Sequence, residues 1–237
     1  MKAGIIAAGD GSRLAAGGVA VPKPLVRVGG VPLLEHTLRA LAAARVEEIA
    51  LIVNERMAEV ARFAEELRLP VPVRSVIRTT ASSMHSLYHL RGLLGDARFL
   101  LCTVDSIVIA EEFQGFVDAF VGHPELELLL SYTDFVDDEK PLYIGVDEQQ
   151  QVVSLGANAA GSPFVTVGLY GMGPRVFAVL ERAVREGRER LRSFLGMLLE
   201  EGVAARGFRL SKAVDVDRPE DLAVAEELVR SWRGSGN

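Results

Sequence analysis

The chain has 237 residues, and its apolar fraction of 49% and charged fraction of 24% are ordinary for a globular protein. A net charge of −6 argues against nucleic acid or an anionic membrane as the main partner, because both select basic surfaces. Cys102 is the only cysteine, which leaves no disulfide framework and no thiolate metal site. Since no apolar run approaches the length of a membrane span and the first predicted strand leaves no room for a signal peptide, we expect a soluble cytoplasmic protein.

The first half of the chain alternates short apolar runs with amphipathic segments. This βαβαβαβ order predicts an α/β fold with an open, Rossmann-like, mostly parallel sheet and helices on both faces. The predicted strands cover residues 3–8, 49–53, 71–77 and 99–104, and the predicted helices cover 32–44, 56–67 and a segment that begins at Ser82 or Ser83. Ligands of such sheets bind beyond the carboxyl ends of the strands.

The second half of the chain is less regular and predicts a mixed edge to the sheet. We expect strands at 126–132, 164–172 and 206–210, a hairpin that joins 143–147 to 152–155, and helices at 113–121, 175–186, 190–201 and 219–233, with a short tail after them. No internal repeat or low-complexity linker separates the two halves. We therefore predict a single domain over residues 1–237.

The end of the first strand carries the clearest functional pattern. Gly9 and Gly11 follow the apolar run, and glycine lets backbone N–H groups approach an anion closely. Arg13 and Lys23 follow the two glycines in the sequence and supply positive charge. Together these residues predict a phosphate-handling loop at the carboxyl end of the first strand.

This loop resembles a known signature. The string Gly9-x-Gly11-Ser12-Arg13-Leu14, followed by Pro22-Lys23-Pro24-Leu25, is similar to that of the nucleotidyltransferase superfamily, in the branch of sugar-1-phosphate nucleotidylyltransferases and phosphocholine-type cytidylyltransferases. The resemblance implies a GT-A-like fold in which residues about 1–110 bind the nucleotide and about 111–237 bind the acceptor. It implies that the nucleotide contacts Ala7, Ala8, Gly9, Gly11, Ser12, Arg13, Lys23, Ser82 and Ser83, with Arg13 and Lys23 as the catalytic cations. Asp10 departs from the pattern, since many members carry a neutral residue there.

Two carboxylates match the metal ligands that the resemblance implies. Asp105 follows the strand at 99–104, and Asp217 precedes the last helix in a string that begins at Asp215. Mg²⁺ takes oxygen ligands and needs only one or two protein carboxylates. Each residue also has a structural alternative: Asp105 fits a turn, and Asp217 with Glu220 fits a capping box for the last helix.

The remaining candidate residues carry weaker patterns. Ser82 and Ser83 resemble the base-contacting segment of the family, although a serine that caps the following helix fits equally well. Gly168 is the one residue that we assign to the acceptor pocket. Lys140 fits either a surface lysine or a phosphate ligand. The reaction needs no histidine, because a phosphate nucleophile is already ionised, so His85 fits a residue on the helix surface, and the sequence leaves its role open.

The predicted activity is Mg²⁺-dependent transfer of a nucleotidyl group from a nucleoside triphosphate to a small phosphorylated acceptor, such as a sugar 1-phosphate, with release of pyrophosphate. In the family that the chain resembles, the Ala7-Ala8-Gly9 form of the loop is commoner in members that use UTP or CTP, so the resemblance favours one of these nucleotides. A non-catalytic nucleotide sensor on the same fold is the first alternative. A dinucleotide-binding oxidoreductase is the second, but the chain lacks its third glycine and the acidic residue about 20 positions on. The sequence leaves open whether the protein forms a homo-oligomer.

Overall fold

The computed structural model describes residues 1–135 and 141–234 of the chain. Lys140, with its two interpretations, lies outside the described residues, as does the end of the predicted tail. The elements are, in chain order, β1 Lys2–Ala7, α1 Ser12–Ala16, β2 Arg27–Val28, β3 Val31–Pro32, α2 Leu33–Ala43, β4 Ile49–Val53, α3 Ala58–Glu66, β5 Val73–Ile77, α4 Ser83–Leu94, β6 Phe99–Thr103, β7 Ser106–Val108, α5 Ala110–Gly122, β8 Leu128–Thr133, β9 Ile144–Val146, β10 Val152–Leu155, β11 Val165–Met172, α6 Val176–Arg185, α7 Leu191–Glu200, β12 Ala205–Arg209, β13 Ala213–Asp215 and α8 Pro219–Gly234.

The main sheet has seven strands in the order β12-β8-β11-β6-β1-β4-β5. β1 lies between β4 and β6 and pairs with both in parallel, with Ile5 opposite Leu51 on one side and Cys102 on the other. β11 runs antiparallel to β6 and β8, whereas β12 is parallel to β8. The predicted mixed, mostly parallel sheet is confirmed, and the carboxyl ends of β1, β4, β5 and β6 share one edge.

Helices cover both faces of this sheet, as the alternation of side chains along β1 requires. Ile6 and Ala8 point into a core built with α4, α6 and α7. Ile5 and Ala7 point into a second core built with α2, α3 and α5. The predicted helices with an apolar stripe are all present, with ends displaced by a few residues. The fully buried strands explain why β1 and β4 appear in the sequence as continuous apolar runs.

Short elements that periodicity cannot predict bring the end of the chain to the centre of the sheet. β13 pairs antiparallel with β7, with Asp215 opposite Ser106. One residue beyond this pair, the backbone N–H of Val216 donates to the carbonyl of Asp105 at 3.0 Å. α8 then packs with Val28 of the small β2–β3 hairpin and with Leu14 of α1. The loop at 216–218 is thereby fixed beside the ends of β1 and β6.

The predicted hairpin is present as β9 and β10, which pair antiparallel outside the main sheet. Within residues 1–135 and 141–234, no helix is long and apolar enough to cross a membrane.

Candidate active site

A cleft of about 500 Å³ opens at the carboxyl ends of β1, β4 and β6. We call it the glycine-loop cleft. Of the residues predicted to contact the nucleotide or the metal, those that line it are Ala7, Ala8, Gly9, Arg13, Lys23, Ser82, Ser83, Asp105 and Asp217. Gly11 and Ser12 do not line this cleft, and Gly168 lies in a neighbouring one.

Gly11 is required by the backbone of the loop. Its φ of 60° is in the left-handed region, and a Cβ at this position would lie 2.9 Å from the Cβ of Lys23. Any larger side chain would therefore push away the segment that carries Lys23. Gly11 is also the residue that precedes α1, so it ends the loop and sets the direction of Arg13. Of the glycine pair predicted from the sequence, Gly11 thus shapes the loop around Lys23, whereas a Cβ at Gly9 would meet no atom within 4 Å.

Lys23 joins the two predicted metal ligands. Its Nζ donates to Asp105 Oδ2 at 2.7 Å and to Asp217 Oδ1 at 2.5 Å, and the Lys23 residue is only 9% exposed. The second carboxylate oxygen of Asp217 pairs with Nη2 of Arg13 at 2.9 Å. Two cations and two anions that are widely separated in sequence therefore form one neutral cluster in the wall of the cleft.

Lys23 and Asp105 hold each other in their charged forms. Burial opposes the charge on Lys23, but the carboxylates of Asp105 and Asp217 outweigh it and hold the pKa of Lys23 above its ordinary value. Burial alone would raise the pKa of Asp105, whereas the charge and hydrogen bond of Lys23 hold that pKa below its ordinary value. At neutral pH the cleft therefore presents the ammonium group of Lys23 beside the carboxylate of Asp105.

Asp221 fixes the backbone that carries Asp217. Its buried carboxylate accepts hydrogen bonds from the backbone N–H groups of Asp217 and Arg218, at 2.8 and 2.7 Å, and pairs with the guanidinium of Arg218. The alternative capping box of Asp217 with Glu220 is therefore wrong. Asp221 takes the place of Glu220, and the carboxylate of Asp217 is directed at Lys23 and Arg13. Glu220 and Asp221 are both acidic residues in the first turn of α8, and the local sequence does not indicate which of them binds these N–H groups.

Ser82 and Ser83 lie where β5 gives way to α4. Ser82 is the N-cap residue of α4, but its side chain makes no capping hydrogen bond. Its Oγ lies 3.0 Å from Nδ1 of His85 instead, so the serine-cap alternative is wrong for the Ser82 side chain. Thr80 Oγ1 and Ser86 Oγ lie 2.7 Å apart in the same wall of the cleft. This wall thus consists of small hydroxyl side chains.

A second cleft, of about 390 Å³, adjoins the first along β11, and we call it the β11 cleft. Gly168 lies in its wall, where a Cβ would collide with the hydroxyl groups of Thr103 and Ser106. The backbone N–H of Gly168 donates to Ser106 Oγ at 3.2 Å. Asp105 lines both clefts and marks their junction. Burial, together with the charge of Asp105, raises the pKa of Asp215 in this second cleft to about 7.

Asn54 is a cleft residue that the sequence interpretation missed. It directly follows β4 and is 2% exposed, with side-chain hydrogen bonds to the glycine loop. The signal that could have found it is its position, since a polar residue at the end of a buried parallel strand lies at the ligand-binding edge of the sheet.

The donor set at the junction of the clefts suits a hard divalent cation. Asp105 Oδ2 and Asp217 Oδ1 both point at one ammonium nitrogen, so two carboxylate oxygens converge on a place that already holds positive charge. Carboxylate oxygens are the ligands that Mg²⁺ prefers. In the part of the chain that the structure describes, no three His, Cys, Asp or Glu side chains gather into a metal-binding group. The two residues fit a metal whose other ligands are water molecules and substrate oxygens.

Comparisons with known proteins identify the family of this chain. Residues 3–201 match the model of the MobA-like NTP transferase domain. A bifunctional IPC transferase and DIPP synthase of Rubrobacter xylanophilus is 32% identical over 99% of this chain and 53% of its own length. A 2-aminoethylphosphonate cytidylyltransferase of Lancefieldella rimae is 31% identical over 46% of this chain and 44% of its own. The chain thus spans about half the length of these curated relatives.

A solved structure, that of the inositol-1-phosphate CTP transferase from T. maritima, shares the fold. Its TM-score is 0.81 with 21% identity, and the match covers 99% of this chain and 96% of that one. Because the domain model covers most of the chain, this protein belongs to the MobA-like NTP transferase domain family. The resemblance stated from the sequence is confirmed, and the oxidoreductase alternative is left without support.

Proposed function

We propose that this member of the MobA-like NTP transferase domain family transfers a nucleotidyl group from a nucleoside triphosphate to a small phosphorylated sugar or polyol. Pyrophosphate is the second product. The observation that carries the proposal is the cluster of Lys23, Arg13, Asp105 and Asp217 in one cleft. It brings two cations that suit phosphate and two carboxylates that suit a metal into one cleft, and a sensor without turnover does not need this combination.

The preferred nucleotide is CTP, with UTP as the second choice. The support is the Ala7-Ala8-Gly9 form of the loop and the activities of two similar proteins, a cytidylyltransferase and a CTP transferase. The proposal assigns residues of about 1–110 to the nucleotide and of about 111–237 to the acceptor, within one domain. Ser82 and Ser83 contact the base side of the nucleotide, and Gly168 contacts the acceptor.

The reaction is an in-line displacement in which the acceptor phosphate oxygen bonds to the α-phosphorus and the bond to pyrophosphate breaks. Mg²⁺, when bound by Asp105 and Asp217, supplies positive charge that neutralises the phosphate oxygens. Arg13 and Lys23 exchange their carboxylate partners for phosphate oxygens and stabilise the charge that develops on the leaving pyrophosphate. No protein base is needed, because the acceptor phosphate is already ionised. The residues act by positioning and electrostatics.

The test measures Mg²⁺-dependent pyrophosphate release from CTP or UTP with inositol 1-phosphate or glucose 1-phosphate as acceptor. We expect turnover in the wild type and a loss of about 100-fold or more in Asp105→Asn, the usual size of the effect when one charge-stabilising group is removed. Asp118→Asn is the matched control, because Asp118 is exposed on α5 and is outside both clefts. Nucleotide binding without turnover in the wild type would establish the sensor alternative instead.

A further inference from the structure

The three acidic residues around the junction face different clefts. Asp217 lines the glycine-loop cleft, Asp215 lines the β11 cleft, and Asp105 lines both. Asp215 and Asp217 are only two residues apart, yet in the described part of the chain Lys23 and Arg13 form ion pairs with Asp105 and Asp217, and not with Asp215. Asp215 is therefore set apart, by position and by ion pairing, from the two carboxylates that pair with Lys23 and Arg13.

A hydrogen bond from Ser106 holds the side chain of Asp215 in place. Ser106 Oγ donates to Asp215 Oδ1 at 2.5 Å, across the β7–β13 pair. Ser106 Oγ in turn accepts the backbone N–H of Gly168 and lies 3.2 Å from Thr103 Oγ1. A carboxylate accepts up to about four hydrogen bonds, and Ser106 uses one of them. The remaining capacity of Asp215 is available to a ligand in the β11 cleft.

The other groups that line the β11 cleft indicate what that ligand carries. Thr166 and Tyr170 of β11 bring hydroxyl groups, which both donate and accept. Arg190, which precedes α7, lines this cleft, and Arg192 in the first turn of α7 lines both clefts. Guanidinium groups suit a phosphate and disfavour a cationic ligand. Tyr170 is the only aromatic residue in the described lining, whereas a quaternary ammonium group is usually held by several aromatic rings.

We propose that Asp215 selects the acceptor by accepting a hydrogen bond from a hydroxyl group of a phosphorylated polyol or sugar. Ser106 orients the carboxylate for this contact. The inference rests on the proposed function, because it assigns a specificity-determining residue for the same reaction. It separates Asp215 from the metal ligands and gives the β11 cleft a residue that distinguishes a hydroxylated acceptor from an acceptor with no second polar group.

The experiment compares the wild type with Asp215→Asn, which keeps the shape and replaces one acceptor oxygen by an NH2 donor. Inositol 1-phosphate is the hydroxylated probe, and ethyl phosphate, which has no hydroxyl group beyond its phosphate, is the control ligand. We expect the KM for inositol 1-phosphate and its Kd by calorimetry to rise about tenfold or more, the size expected when a hydrogen bond to a charged group is lost. The affinity for ethyl phosphate, the affinity for CTP and the Mg²⁺ concentration at half-maximal rate should not change.

Two further variants keep the result interpretable. Asp96→Asn is the matched control, because Asp96 is exposed beyond the end of α4 and is outside both clefts. Ser106→Ala leaves Asp215 in place but removes the hydroxyl that orients it, and should raise the same KM by a smaller factor. This variant also tests the inference if Asp215→Asn fails to fold.

Three results would overturn the inference. A higher Mg²⁺ requirement with an unchanged acceptor KM would make Asp215 a metal ligand. A loss of affinity for 2-aminoethylphosphonate, with none for inositol 1-phosphate, would make it an amine-binding residue. Unchanged Kd values for every probe would leave it no role in recognition. Absence of turnover in the wild type would instead count against the proposed function, and the calorimetric Kd values would still decide the role of Asp215.

Discussion

Asn54 shows how one buried side chain can organise a ligand-binding edge. Its Nδ2 donates to the carbonyl of Ala8 at 3.4 Å and to Asp10 Oδ1 at 3.1 Å. Its Oδ1 accepts from the backbone N–H of Arg56 at 3.0 Å and from Thr79 Oγ1 at 3.2 Å. All four hydrogen-bonding positions of the amide are thus used, and they join the residues that follow β1, β4 and β5. The bond to Asp10 also gives that unusual loop acid a partner in the protein.

We predict that Asn54→Ala weakens CTP binding as well as the fold. Several polar groups lose their partner, which costs about 1–3 kcal/mol of unfolding free energy when such groups are buried. The measurement is the Kd for CTP·Mg²⁺ by calorimetry beside the melting temperature, with Asn158→Ala as the control, since Asn158 is exposed. A lower melting temperature with an unchanged Kd would reduce Asn54 to a purely structural residue.

At the scale of elements, the sequence predicts the strands and helices whose pattern lies within a short stretch of chain. Apolar runs and amphipathic periods are local, so β1, β4 and β6 and the helices that cover them follow from the sequence. The three-residue strands β7 and β13 are too short for a periodic signal, and only their packing in the folded chain selects them. The partners of Lys23 lie 82 and 194 residues away, so its ion pairs were beyond any local rule.

The start of α8 shows the limit of a local capping rule. Asp217 and Glu220 have the spacing of a capping box, yet Glu220 is exposed while Asp221 is 2% exposed and accepts the N–H groups of Asp217 and Arg218. The choice depends on which side of α8 faces the core, since a buried carboxylate makes stronger hydrogen bonds than an exposed one. The carboxylate of Asp221 therefore both caps the start of α8 and fixes the position of Asp217.

We predict that Asp221→Asn lowers kcat for pyrophosphate release and also destabilises the protein by about 1–3 kcal/mol, because a charged acceptor of two backbone N–H groups is lost. The fall in kcat should exceed any rise in the KM for the acceptor, because the substitution displaces Asp217 and not the β11 cleft. Glu220→Gln is the matched control and should behave as the wild type. Equal effects of the two variants would show that Asp221 does not position Asp217.

At the scale of the whole molecule, the candidate site joins both ends of the chain across the central strands. Arg13 and Lys23 come from the loop after β1, Asp105 from the end of β6 and Asp217 from the loop before α8. Their charges balance one another in the structure, so a ligand of either sign alone disturbs the balance. A triphosphate alone meets two carboxylates, and a metal alone meets two cations. Only the two ligands together satisfy all four groups.

We therefore predict that CTP and Mg²⁺ stabilise the protein together by more than the sum of their separate effects. At about 100 times its Kd, the joint ligand should add roughly 2.7 kcal/mol to the unfolding free energy. For a domain of this size that corresponds to an increase of several degrees in melting temperature. The measurement is a thermal-shift titration of CTP with and without Mg²⁺, and of Mg²⁺ alone. Asp217→Asn should lose the synergy but keep the fold, whereas an equal shift from CTP without metal would show that the carboxylates do not act through a cation.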